Sequence, residues 1–409
     1  MNRTAQRIDL TLLTVGLAVS TAGDAAALVA LLLRLRPHGT GWVTGLLAAE
    51  LLPFVLLAPL VGKVVDRLET RSVLLVALAG QAALCMPLAF ASSRWMIVSL
   101  FAALSALSAF VRPATAALIP AITGEDRAER GYALLATGTN LGWIAGPATG
   151  GMLATVFGAT AAVLADAATF AALALACTAL TVRRKPTHTP ADPAAATRAG
   201  GLRLLLGDPI LRSALLGSVI AVCSGVIDNV AAPFRFVDQL GASATGYGTY
   251  LTLWGAGALA GAQILPRIRL RPHAALATGN LLVGAGIAGI GIAPSLTCAF
   301  IASVVGGVGN GLGGVAQNTL ISLRTSPRQR GRAFAAAAAL IQTAIGLGTA
   351  AAAPVINVLE ADGALIAAGG LTAVTAAGTL MLGRAPCSRR NRTTDGHGRP
   401  TPFFARDGG

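Results

Sequence analysis

Charge is what this sequence has least of. Asp, Glu, Lys and Arg fill 12% of its 409 positions, about half the share usual in soluble domains, and lysine occurs only at Lys63 and Lys185. So little charge cannot cover a water-facing surface, which excludes an ordinary soluble protein. Cysteine offers no framework either. Of the five, Cys85, Cys177, Cys223 and Cys298 lie inside apolar runs and Cys387 lies near the C-terminus, and neither a paired set nor a metal-ligand spacing emerges. No nucleophile, phosphate-binding or metal constellation stands out, so neither an enzyme nor a cofactor is expected.

What the chain has in quantity is apolar sequence, 54% of all residues. Runs of about 20 residues cross a hydrocarbon core of roughly 30 Å as helix. Such runs fall near 10–33, 42–62, 72–90, 96–121, 132–157, 160–182, 213–236, 246–266, 273–293, 296–321, 333–357 and 364–383. They predict an all-α integral membrane protein with twelve transmembrane helices. The first run is too long for a signal-peptide core and lacks a small-residue cleavage site, so it reads as a retained span.

The net charge of +14 could signal nucleic acid, but its distribution argues for a bilayer. With the N-terminus placed in the cytoplasm, only Arg34, Arg36, Arg94 and Arg235 fall outside, and Arg112 falls within a span; the rest of the 31 Lys and Arg lie inside. This positive-inside bias predicts that both termini are cytoplasmic and leaves no nucleic-acid partner to expect. The excess of Ala, Gly and Arg points to a GC-rich bacterial genome, and so to a bacterial inner membrane.

The longest polar interruption, RRKPTHTPADPAAATRAGG from Arg183 to Gly201, divides the chain. The expected organisation is a six-helix half over 1–182, a cytoplasmic linker over 183–212 and a second six-helix half over 213–383. A basic, disordered tail over 384–409 would rest on the anionic leaflet. The run LRLLL at 202–206 reads as a short interfacial helix. Asp24 and Asp228 sit at equivalent depth in the first and seventh spans. Two related six-helix halves around a midplane cavity are the plan of many secondary transporters.

Between the second and third spans stands GKVVDRLETRS, with Gly62, Asp66, Arg67 and Arg71 in the spacing GxxxDRxxxR. A tight turn at Gly62 would let two helices approach, and the charges could clamp helix ends in one conformation and release them in another. The counterpart in the second half, GAQILPRIRLRPH, keeps Arg267, Arg269 and Arg271 but has no acid. The fifth span contains LGWIAGPATGGML, with Gly142, Gly146, Pro147, Gly150 and Gly151. Glycine at four-residue spacing lets helix backbones pack closely, and Pro147 removes a backbone hydrogen bond and bends the helix. In the tenth span Gly309, Gly311 and Gly314 match GxGxxG, but no ribose-binding acid follows about 20 residues on. Close helix packing is the expectation there, with Asn310, Gln317 and Asn318 facing the cavity.

Ionisable residues inside spans cost about 2.5–3.5 kcal/mol at the bilayer centre and mark interior or aqueous paths. Asp24, Glu50, Asp228 and Arg112 are therefore the candidate proton-coupling or substrate-binding residues. Asp24 and Glu50 lie slightly to the outer side of the midplane, Asp228 about one turn further out, and Arg112 in the cytoplasmic half. Asp166 lies nearest the outer surface, where hydrogen bonding at a helix end is its expected role.

GxxxDRxxxR resembles motif A of the major facilitator superfamily, and GxxxGPxxGG resembles its motif C, found in antiporter branches. Gly23-Asp24, ELLP at 50–53, RPATAALIP at 112–120, ADAATF at 165–170 and AAPFRFVDQLGASATGYGTY in the second half resemble the macrolide and enterobactin exporter type of drug:proton antiporter. The fourth span departs from motif B of other drug:proton antiporters, since Arg112 is followed by Pro113 rather than Gln-Gly. The resemblance implies the major facilitator fold and a monomer that exports a small amphipathic or hydrophobic compound in exchange for protons. The proton gradient would then be the energy source. A proton-coupled importer of a nutrient and a non-transporting receptor or scaffold are the alternatives.

Overall fold

The computed structural model describes residues 3–182, 198–264, 267, 270–326 and 329–384. The first part of the expected linker, 183–197, and the expected tail from 385 onward lie outside the described residues, as does Cys387. No strand occurs among the described residues. The first half consists of α1 Arg3–Leu35, α2 Thr40–Arg67, α3 Thr70–Phe90, α4 Arg94–Thr123, α5 Ala128–Phe157 and α6 Ala159–Ala179. A short helix, α7 Arg198–Gly207, leads to α8 Pro209–Phe234, α9 Ala244–Ala262, α10 Pro272–Ile292, α11 Leu296–Arg324 and α12 Arg330–Arg384.

Twelve crossings fit into these helices because α12 is broken. Glu360 takes a non-helical conformation inside it (φ 61°, ψ 177°) and divides the eleventh crossing from the twelfth. Among the described residues nine helices are long and apolar enough to cross a membrane, the last being the double-length Arg330–Met381. The remaining two crossings, α5 and α9, are rich in Gly and Thr and pack against each other across the two halves. Their small residues serve contact between backbones, which lowers their apolarity.

Helix ends follow local chemistry. Asp208 caps α8 by accepting from the amides of Ile210 (2.8 Å) and Leu211 (3.2 Å), with Pro209 in the first turn where no amide is required. The seventh crossing therefore starts at Pro209 rather than 213. The expected interfacial helix at 202–206 is part of α7, but it docks on protein: Leu205 is fully buried with Leu211 and Ala333, and a Cβ on Gly201 would lie 2.4 Å from the Arg332 carbonyl.

The apolar core shows how the halves meet. One continuous cluster joins Leu31, Leu35, Val43 and Leu46 of the first half to Val230, Phe236, Tyr247 and Ile356 of the second, at the end that carries the α1–α2 turn. At the opposite end the second half has a separate core around Leu211, Leu276, Leu320 and Ala337. The halves are packed together at one end, and each has its own packing at the other.

Candidate functional site

α5 fixes α1 by backbone contact. A Cβ on Gly142 would lie 2.4 Å from the Ala18 carbonyl, on Gly146 2.5 Å from that of Ala22, and on Gly150 2.4 Å from the Ala26 Cα. Steps of four on both helices keep the contacts in register, so no side chain separates the two backbones. Asp24 belongs to the stretch of α1 that this seam holds and faces the cavity instead. On another side of α1, a Cβ on Gly23 would meet Asp166 Oδ1 and Thr169 Oγ1, each at 2.5 Å, so α6 reaches α1 through its side chains.

α1 to α6 enclose a cavity of about 520 Å³, whose lining residues all belong to the first half. Leu17, Phe54, Leu104, Leu135, Trp143 and Phe170 make it largely apolar. Asp24, Glu50, Arg112 and Asp166 supply its charge, and the charges of Glu50 and Arg112 act on Asp24. Three of the four expected residues are thus brought together. Asp166 corrects the sequence reading: it is 1% exposed, accepts from Thr169 Oγ1 at 3.2 Å and lines the cavity instead of finishing a helix end.

The fourth expected residue, Asp228, is elsewhere. It is 3% exposed, accepts from the Tyr250 hydroxyl at 2.5 Å and adjoins rings stacked on one another, Phe236 on Tyr250 at 4.5 Å. Asn310, Gln317 and Asn318 are not among the lining residues either. Their helix packs as expected of its glycines: a Cβ on Gly311 or Gly307 would run into the Ala258 or Trp254 carbonyl of α9.

The second face of the α5 motif meets α9. A Cβ on Gly151 would lie 2.4 Å from the Ala244 carbonyl. Pro147 has no amide to donate to the Trp143 carbonyl one turn back, and Thr252 of α9 bonds the neighbouring rung. Its hydroxyl donates to the Ile144 carbonyl (2.8 Å) and accepts from the Ala148 amide (3.2 Å). Nearby, the Thr155 and Thr245 hydroxyls pair at 2.9 Å. At the rim of the same end Arg36 pairs with Asp238 (3.1 Å) and Thr40 bonds Asn357 (2.7 Å).

At the other end the structure revises the expected clamp. Gly62 lies inside α2, which continues to Arg67, and a Cβ there would meet nothing within 4 Å, so no tight turn occurs. The chain turns at Leu68 and Glu69. Arg71 binds the end of α6 through the carbonyls of Thr178 and Leu180, whereas the side chain of Asp66 lies outside the described residues and Arg67 is exposed. Sequence reasoning missed Asp9. Buried at 1% exposure, it accepts from the Thr181 amide (3.1 Å) and hydroxyl (2.7 Å) and from the Val182 amide (3.3 Å). It also missed Asp208, which pairs with Arg324 at 3.0 Å. Their signal was an acid at a span boundary, indistinguishable in sequence from a solvated loop charge.

Residues 10–262 match the family model described as Major Facilitator Superfamily. A Bacillus subtilis (strain 168) protein described as the uncharacterized MFS-type transporter YfiS is 24% identical over 310 residues, covering 73% of this chain and 74% of its own. The crystal structure of the nucleoside transporter NupG is similar in fold, with a TM-score of 0.74 at 12% identity over 92% of this chain and 99% of that one. So is a bacterial homolog of the human lysosomal transporter Spinster in an inward-facing, unoccupied conformation. Its TM-score is 0.68 at 15% identity over 93% and 95% of the two chains.

Proposed function

The chain belongs to the Major Facilitator Superfamily and is a multi-pass membrane transporter rather than an enzyme; from that premise we propose that it exports a small amphipathic compound in exchange for protons. The observation that carries this reading is the cavity, where three carboxyl groups and a single guanidinium share a wall that is otherwise uncharged and largely apolar. The apolar wall suits an amphipathic cargo. The carboxyl groups suit a cycle in which an acid alternately holds a proton and the cargo, driven by about 2.3 kcal/mol per charge for each 100 mV. Support for export over import comes from GxxxGPxxGG, whose Pro147 and Gly151 meet α9 of the other half. Support for cytoplasmic termini in a bacterial inner membrane comes from the distribution of Arg. On that orientation, the packed end with Arg36 and Asp238 is the outer one, and the halves part toward the cytoplasm.

Within the cavity Asp24 is the proposed proton carrier, with Glu50 sharing the charge and Arg112 tuning both. The test is cargo-driven proton release from inside-out vesicles, after a panel of amphipathic compounds has been screened by thermal shift. Asp24→Asn should abolish the release while folded protein persists, and Glu50→Gln should weaken it, since each amide mimics the protonated acid. Wild-type coupling in Asp24→Asn would remove Asp24 from the mechanism.

A further inference from the structure

The two halves carry different charge at the end where they part. In the first half the segments there hold Asp9, Asp66, Glu69, Glu125, Asp126 and Glu129 among their basic residues. Between Arg198 and Arg384 only Asp208 is an acid at that end, and it is already committed, capping α8 and pairing with Arg324. Around it Arg203, Arg212, Arg267, Arg271, Arg330 and Arg332 are exposed, and none of the six is ion-paired among the described residues. They form one rim. The Asp208–Arg324 bridge joins the start of α8 to the end of α11, the charges of Arg271 and Arg324 both act on His273 at the start of α10, and Gly201 seats α7 against the Arg332 carbonyl of α12.

Apolar surface is interleaved with this charge. α7 buries Leu205 and turns Leu202 (36% exposed) and Leu206 (40%) outward; four residues apart, they share one face of the helix, with the exposed Arg203 beside it. Leu270 precedes Arg271 and Leu323 precedes Arg324, and both leucines are exposed. Water alone favours neither exposed leucines nor arginines without counter-ions. An acidic protein surface answers the charge, but leucines on three separate segments offer it no single groove. The boundary of an anionic leaflet answers both, with phosphates for the guanidinium groups and acyl chains for the leucines.

We propose that this face of the second half, centred on α7, is a docking surface for anionic phospholipid headgroups, whose phosphates bind Arg203, Arg212 and Arg332 while Leu202 and Leu206 sit among the acyl chains. The leaflet, but not the surface, rests on the orientation given above. The first half, where acids stand among the basic residues, has no matching surface.

The test is native mass spectrometry of the purified full chain, released from detergent that contains equimolar phosphatidylglycerol and phosphatidylethanolamine with matched acyl chains. Wild type should retain phosphatidylglycerol preferentially, and each arginine removed should lower that preference about fivefold, as one basic residue near an anionic surface is worth. Arg203→Gln combined with Arg212→Gln and Arg332→Gln should erase it, whereas lysine at the same three positions should keep it. Leu202→Ser with Leu206→Ser should lower retention of both lipids, which a site for the bare phosphate would not show. Arg127→Gln with Arg130→Gln, in the first half, should change nothing. Equal retention of the two lipids by wild type, an unchanged preference in the triple glutamine variant, retention indifferent to the leucine pair, or an equal loss in the first-half variant would overturn the surface. Lipid reaches both ends of the protein in a micelle, so the result does not depend on orientation; a reporter fused after Gly409 that is active only outside would remove the leaflet assignment alone.

Discussion

Replacing Thr252 by valine isolates the contact between the halves, since valine keeps the shape and loses the hydroxyl. In the packed state the variant takes the α9 partner from the Ile144 carbonyl and the Ala148 amide beside Pro147. Each of the two hydrogen bonds lost is worth about 0.5–1.5 kcal/mol. Once the halves part at this end, water can reach both groups and the cost disappears. The substitution therefore penalises one conformation only, and a penalty of about 1–3 kcal/mol shifts the equilibrium roughly 5- to 150-fold. Spin labels at Ser92 and Val358, exposed sites at this end on opposite halves, read the shift as a longer distance population in a cysteine-free background. Thr252→Ser should stay near wild type because the hydroxyl remains. An unchanged distance distribution in Thr252→Val would refute the idea that this side chain helps hold the halves together.

Two further outcomes separate close-packed from free positions. Gly146→Val should prevent accumulation of folded protein, because its Cβ would lie 2.5 Å from the Ala22 carbonyl and 2.7 Å from the Ala25 Cβ; Gly62→Ala, with nothing within 4 Å, should be neutral or stabilising by up to about 1 kcal/mol. Size-exclusion profiles and thermal melts check both, and a failing Gly62→Ala would restore the tight turn. Asp9→Ala should lower stability by about 1–3 kcal/mol, since the Thr181 and Val182 amides lose their acceptor. A melting point equal to wild type would show that Asp9 does not anchor the end of α6.

What the sequence disclosed was rarity and period. Asp24, Glu50 and Arg112 stood out because acids and bases seldom occur inside spans, and the structure gathers them in one cavity. The α5 glycines stood out because steps of four mark one helix face, and that face is the one against α1. Thr252 gave no such signal. Neutral polar residues are common in helices of this kind, and what they do depends on cross-helix register that no local pattern encodes. Gly62 misled because a glycine at the head of a charged stretch suits a turn, yet α2 simply continues through it. Asp228 misled in the opposite way: its rarity was real, but its partner is the Tyr250 hydroxyl rather than the cavity.

The two faces of α5 carry different contacts, and that division gives the helix its mechanical place. Through Gly142, Gly146 and Gly150 it touches the backbone of α1, which carries Asp24; through Pro147 and Gly151 it touches α9 of the other half. Backbone seated on backbone has no rotatable side chain to absorb a displacement, so α1 and α5 must move together. The α5–α9 seam differs, because part of its hold is the hydrogen bonding of Thr252 and the Thr155–Thr245 pair, and hydroxyls can exchange these partners for water. A change of charge or occupancy at Asp24 that shifts α1 is therefore delivered, through a stiff contact, to a contact that can open. The proline lies on the face turned to α9, beside the glycine seam that holds α1.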